Sequence, residues 1–133
     1  MKLINLLRKA TLLAIALPLV LLSIQAHAGD AIVKGTFEGA SNHVTTGGVS
    51  VVETADGLAV VLASDFSFDG APDPKVGFGK SGKYDISSQL DKLQSNSGEQ
   101  TYLIPSSVDV SKYNEIYIWC EAYSVPLGVA KVK

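Results

Sequence analysis

One thiol and one imidazole bound the chemistry open to this chain. Beyond residue 28 it holds a single cysteine, Cys120, a single histidine, His43, and no methionine. One cysteine closes no internal disulfide and supplies no zinc site of the two-plus-two cysteine kind. A blue-copper centre, with its two histidines and a cysteine, is excluded for the same reason. The sequence has no C-x-x-C-H for covalent haem, no G-x-x-x-x-G-K-[ST] phosphate loop and no G-x-S-x-G elbow. One histidine among many serines is weak ground for a hydrolytic triad, which is defined by geometry rather than composition. What Cys120 can still do is act as a redox thiol or ligate haem iron, and His43 is the one imidazole able to assist it. The remaining candidates are acids. Asp65, Asp69 and Asp73 recur every four residues, which is not the alternate-position pattern of an EF-hand calcium loop. Asp69 and Asp73 are better read as turn-stabilising residues in "DGAPD". No metal ligand set is expected.

Cys120 lies in "EIYIWCEAY" (115–123). Strand periodicity of two divides it into an apolar face, Ile116, Ile118, Cys120 and Ala122, and a second face carrying Glu115, Tyr117, Trp119, Glu121 and Tyr123. The first face should point to the core and make Cys120 a buried small hydrophobe. A buried thiol is hidden from oxidants and can survive unpaired in an oxidising compartment. Ala122 and Gly128 are small enough to leave the core open at the cysteine end. The stripe of Tyr117, Trp119 and Tyr123 has three readings: a binding surface, a radical-tolerant path beside the sulfur, or the cover of a second packing layer, which is the commonest use of such residues.

The elements that must position these residues are short strands broken by turn residues. "AIVKGTFE" (31–38), "HVTTGGVSVVET" (43–54), "LAVVLASDFSF" (58–68), "TYLIP" (101–105), "NEIYIWCEAYS" (114–124) and "PLGVAKVK" (126–133) read as strands. Asp56-Gly57 is a hairpin signal, and Gly47-Gly48 marks a bulge or bend. "VGFG" (76–79) is a short edge candidate, and Lys131 and Lys133 are placed to protect an edge on the last strand. Ile86, Leu90 and Leu93 in "DISSQLDKL" have helical spacing, with Asp85 as cap. The expected fold is all-β, a sandwich or barrel-like domain of short antiparallel strands with at most one short helix, near 85–93.

The first 28 residues carry the pattern of a secretory signal peptide. Lys2, Arg8 and Lys9 precede a 15-residue uncharged apolar run, residues 10–24, and Ala26 and Ala28 stand where a signal peptidase reads. The run is short for a membrane span of ~20 residues. The mature chain is then residues 29–133, one domain, periplasmic or secreted and free of the membrane after cleavage. It keeps 8 lysines, 13 acids and no arginine. Such an acidic, arginine-free surface is a poor match for phosphate backbones, so nucleic acid is not an expected partner.

"GTFEGASNHVTTGGVSVVE", "LAVVLASDFSFDGAPD" and "GEQTYLIPSSVDVSKYNEIYIWCEAYSVPLGVAKV" together resemble the DM-thirteen domain. That family shows G-x-F, a histidine before a glycine-valine strand, a G/A-P-D loop, Y-x-[IL]-P, and an I-W-C strand leading to V-x-[FL]-G-x-A. The resemblance implies a β-sandwich-like domain, found in animals beside DOMON domains, that takes part in electron transfer. It implies a working cysteine, a naked thiol or the holder of a prosthetic group such as haem, at the position of Cys120; His43 and Asp73 match other family positions. The functional expectation is an exported redox or electron-transfer module with Cys120 as catalytic residue, Cys120 and His43 as cofactor-binding residues, haem as the candidate cofactor, and a redox protein or small ligand as partner. Whether it is an enzyme is left open. The alternative is a non-catalytic binding module with a structural core cysteine.

Overall fold

The computed structural model describes residues 14–16 and 30–133; apart from 14–16, the expected signal peptide lies outside the described residues. Ten strands follow one another: β1 Ala31–Gly39, β2 Thr45–Thr46, β3 Gly48–Thr54, β4 Gly57–Leu62, β5 Ser67–Phe68, β6 Pro74–Lys80, β7 Lys83–Asp85, β8 Gln100–Leu103, β9 Glu115–Cys120 and β10 Val125–Val132. Eight form one antiparallel sheet in the order β7-β6-β9-β10-β1-β3-β4-β8, and β2 pairs with β5 in a small second sheet. Val60 and Leu62 of β4 and Tyr102 of β8 share one apolar cluster with Val76 and Phe78 of β6 and Ile116 and Ile118 of β9. These strands come from opposite ends of the sheet order, so the sheet must curl on itself to bury them together. The all-β, barrel-like expectation holds.

Local chemistry sets the turns. The β3–β4 hairpin closes at Asp56-Gly57 as expected: Gly57 has φ +114°, and the Thr54 hydroxyl accepts from Asp56 N–H at 3.2 Å and donates to the Gly57 carbonyl at 2.7 Å. At the β6–β7 hairpin, Ser81 and Gly82 both have positive φ, the left-handed pair that matches strand twist in a two-residue loop. Gly47, with φ +99°, separates β2 from β3.

Three local expectations are corrected. First, residues 85–93 form no α-helix. Asp85 caps as expected, but only a 3-10 turn over Ile86–Ser88. Beyond it, Leu90 N–H donates to Val76 C=O, Val76 N–H to Asp91 C=O and Leu93 N–H to Pro74 C=O. Backbone groups committed to β6 cannot serve a helix, and Ile86 is left exposed. Second, "VGFG" is no edge: β6 is interior, between β7 and β9. Third, β10 lies between β9 and β1, so Lys131 and Lys133 guard no edge; β7 and β8 are the outer strands.

Candidate functional site

Cys120 ends β9, the sheet's most enclosed strand, with Pro74 of β6 and Val125 of β10 as its cross-strand neighbours. Ile116, Ile118 and Cys120 face the core, and Cys120 is 1% exposed. The shared face stops there, because residues 121–124 form a turn and Ala122 and Tyr123 are exposed within it. The core is not open at this end. Thr45 fills the space over Gly128, where an added Cβ would lie 2.6 Å from its methyl, and the Thr45 hydroxyl donates to Leu127 C=O at 2.8 Å.

The cysteine's polar contact is with a loop. Its thiol donates to the Pro72 carbonyl at 3.3 Å, within the Asp69–Asp73 connection between β5 and β6. Both ends of this loop are tied down by side chains. At the first end, the Asp69 carboxylate accepts from Val44 N–H at 3.0 Å and from His43 Nδ1 at 2.8 Å, while Asp69 N–H returns a bond to Val44 C=O. The Val44 amide, then the His43 ring, holds the Asp69 carboxyl below the usual carboxylate range. At the second end, Asp73 takes φ +51° and its carboxylate meets Lys75 Nζ at 3.1 Å. Lys75 also reaches Glu121 at 3.3 Å, and Glu121 N–H donates to Asp73 C=O. The paired carboxylates of Asp73 and Glu121 push the Lys75 ammonium pKa upward. His43 and Cys120 are thus brought to one loop, three residues apart along it, with the imidazole serving as a loop anchor. Asp69 and Asp73 have the turn-stabilising roles expected of them.

This arrangement does not fit a haem. A macrocycle held through Cys120 needs an open face at the sulfur, and the sulfur is enclosed by β6, β10 and the Pro72 carbonyl.

The outward face of β9 holds what the sequence reading missed. Tyr117 is 2% and Glu115 5% exposed. The Tyr117 hydroxyl donates to Glu115 Oε2 at 2.7 Å, and the Glu115 carboxylate also accepts from Gly82 N–H at 2.9 and 3.1 Å. Tyr84 of β7 stacks on Trp119, ring centroids 4.4 Å apart and planes at 12°. The Tyr117 ring stands edge-on to both, 5.5 Å from Tyr84 and 6.4 Å from Trp119. Tyr123 is no part of this group. The rings lie on glycine: a Cβ at Gly77 would come within 2.5 Å of the Tyr84 hydroxyl, and one at Gly79 within 2.5 Å of the Tyr117 ring. The signal was available in "VGFG", where alternation sets Gly77 and Gly79 opposite the core-facing Val76 and Phe78.

Fold and site define an all-β domain with one enclosed thiol beneath a tied loop. The chain belongs to the electron-transfer DM13 family, whose model matches residues 36–132. No curated protein and no solved structure matches it.

Proposed function

We propose that the protein is an exported redox module in which Cys120 works as a naked thiol, covered at rest by the Asp69–Asp73 loop and exposed when that loop opens. The observation that carries this reading is the contact of the thiol with Pro72. The sulfur meets a loop whose ends are held by partly exposed polar pairs, and such contacts yield at lower cost than the core around them. Once uncovered and deprotonated to water, the Cys120 thiolate attacks a disulfide of a partner; a mixed disulfide forms and one partner thiolate leaves. Export follows from the leader pattern, with cleavage after Ala28 and residence in the periplasm or outside the cell. β1 begins at Ala31, so that cleavage takes nothing from the sheet. A prosthetic group at Cys120 is not part of this reading.

The 1% exposure of Cys120 within the apolar cluster favours a second reading, a non-catalytic binding module with a structural cysteine. Iodoacetamide labelling of the folded protein separates the two. On the redox reading, Cys120 is modified slowly in the native state and forms a mixed disulfide with glutathione disulfide. His43→Ala removes one loop anchor and accelerates labelling by about twofold to fivefold, the modest effect expected of an exposed pair. Labelling that tracks global unfolding alone, is indifferent to His43→Ala and yields no mixed disulfide leaves the structural reading standing. A Soret band on adding haem that vanishes in Cys120→Ala would overturn both.

A further inference from the structure

Glu115 and Tyr117 use buried, hydrogen-bonded polar groups where an apolar pair would cover the sheet. Their geometry is that of a phenol with its own base. The Tyr117 O–H points at a carboxylate oxygen 2.7 Å away, within the range of charge-assisted O–H···O⁻ contacts. Every hydrogen bond of the Glu115 carboxylate is one it accepts, the pattern of an ionised carboxylate. Losing one electron makes a phenol strongly acidic, so oxidation of tyrosine is easy only where the proton has somewhere to go. Here it moves one hydrogen-bond length. The pair then passes from a net charge of minus one to neutral, a change that a buried, low-dielectric site favours.

Two further features lead in and out of this pair. The ring of Tyr117 touches the Trp119–Tyr84 stack, and Trp119 and Tyr84 are each partly exposed. Centroid separations of 4.4 to 6.4 Å keep consecutive rings at packing contact, giving an electron a continuous π-path from the buried phenol to the surface. Glu115 in turn lines an open surface hollow of about 710 Å³ with Ser81, Gly82, Asn114 and Lys131, so a proton received from Tyr117 has a route to water. Covering a sheet face requires neither the base beside the phenol nor the stacked pair reaching the surface.

We infer that Tyr117 and Glu115 form a proton-coupled one-electron redox site, wired to the surface through Trp119 and Tyr84. In the oxidative step the Tyr117 O–H bond breaks. Its proton forms an O–H bond on Glu115, and its electron passes through the stack to an oxidised one-electron metal centre on a partner protein. The products are a neutral tyrosyl radical and a neutral carboxylic acid, and a reduced partner reverses the step. Cys120 takes no part, so the site stands or falls apart from the thiol reading.

The test is photo-oxidation of the mature chain carrying Cys120→Ala, with tris(bipyridine)ruthenium(III) generated by flash-quench as the oxidant. Transient absorption and electron paramagnetic resonance read the radical. The expected result is a tyrosyl signal that is lost in Tyr117→Phe, which keeps the ring. Its rate of formation should fall at least about tenfold in Glu115→Gln, as removal of a positioned base predicts, and fall also in Trp119→Phe. Circular dichroism of each variant establishes that the fold is kept. A tyrosyl yield unchanged in Tyr117→Phe would assign the radical to another of the five tyrosines and overturn the site. A rate unaffected by Glu115→Gln in a folded protein would overturn the proton-coupled step, and failure to oxidise any tyrosine would overturn the whole proposal.

Discussion

On the inward face of β9, Ile116, Ile118 and Cys120 are 0–1% exposed, and the one polar contact is the thiol's bond to Pro72. On the outward face, Glu115 and Tyr117 are almost as deeply buried, yet they are hydrogen-bonded to each other and to the β6–β7 turn. The inward face is covered by the curl of the sheet. The outward face is covered by Tyr84, which reaches back from β7, lies over Gly77 of β6 and stacks on Trp119. The lesson is that strand parity decides which residues share a face but not which face is wet. One turn of hairpin carrying one aromatic is enough to give a sheet a second, local core.

The comparison can be broken most strongly at neighbouring residues. Truncating Ile118→Ala removes a wholly buried side chain from the continuous core and should cost about 2–5 kcal/mol in urea unfolding. Tyr117→Phe, one position away, keeps the ring and removes one hydrogen bond, leaving Glu115 with its Gly82 contacts; the expected loss is about 1 kcal/mol. Equal losses at the two positions would mean that the faces do not differ in what holds them.

A smaller effect sharpens the account of the outer layer. Gly77→Ala places a Cβ 2.5 Å from the Tyr84 hydroxyl and forces Tyr84 off the sheet, whereas Gly79→Ala meets the Lys83 carbonyl of β7 before the Tyr117 ring and pushes the β6–β7 hairpin apart as well. Each should cost about 1–3 kcal/mol, the usual range for overpacking, and raise the tryptophan's solvent accessibility as read by acrylamide quenching of its fluorescence. Stability and quenching at wild-type values would show that the rings do not rest on the glycines.

Much of this was legible in the residues themselves. The inward face of β9 followed from alternation, the β3–β4 hairpin from Asp56-Gly57, and the turn roles of Asp69 and Asp73 from their setting in "DGAPD". The illegible parts depend on long-range pairing. Residues 85–93 have helical spacing, but the stretch of β6 not paired with β7 claims the amides of Leu90 and Leu93 and the carbonyl of Asp91, and no local pattern reports that competition. The interior place of β10 could not be inferred from the lysines at its end, because edge-protecting charge and ordinary surface charge look alike in one dimension. Of the site, Cys120 and His43 could be singled out by type. Their meeting at one loop could not, nor could the partnership of Tyr84 with Trp119, which lies 35 positions further on and joins through two intervening strand pairings.

The smallest effect is silent until the solution is strongly alkaline. Burial comes first in raising the pKa of Tyr117, followed by its hydrogen bond to Glu115 and that carboxylate's charge. Burial also leads for Tyr84, with Glu121 and Asp85 adding repulsion. Both phenols ordinarily titrate at 10.0, as they would in the unfolded chain. A folded-state value above the unfolded one means that the folded protein holds its protons longer. The stability this contributes is complete below pH 10 and declines as the pH rises further, because the unfolded chain then gives up protons that the native one retains. The two phenols should therefore stay protonated while the fold persists and ionise together with the loss of β-sheet circular dichroism. Glu115→Gln removes the repelling charge, so Tyr117 should ionise at lower pH, closer to the ordinary value. A spectrophotometric titration of phenolate, run beside circular dichroism on the wild type and on Tyr117→Phe, assigns the component. If Tyr117 titrates reversibly near pH 10 with the sheet intact, the outward face of β9 is open to water, and the contrast between a continuous core and a second, polar one does not hold.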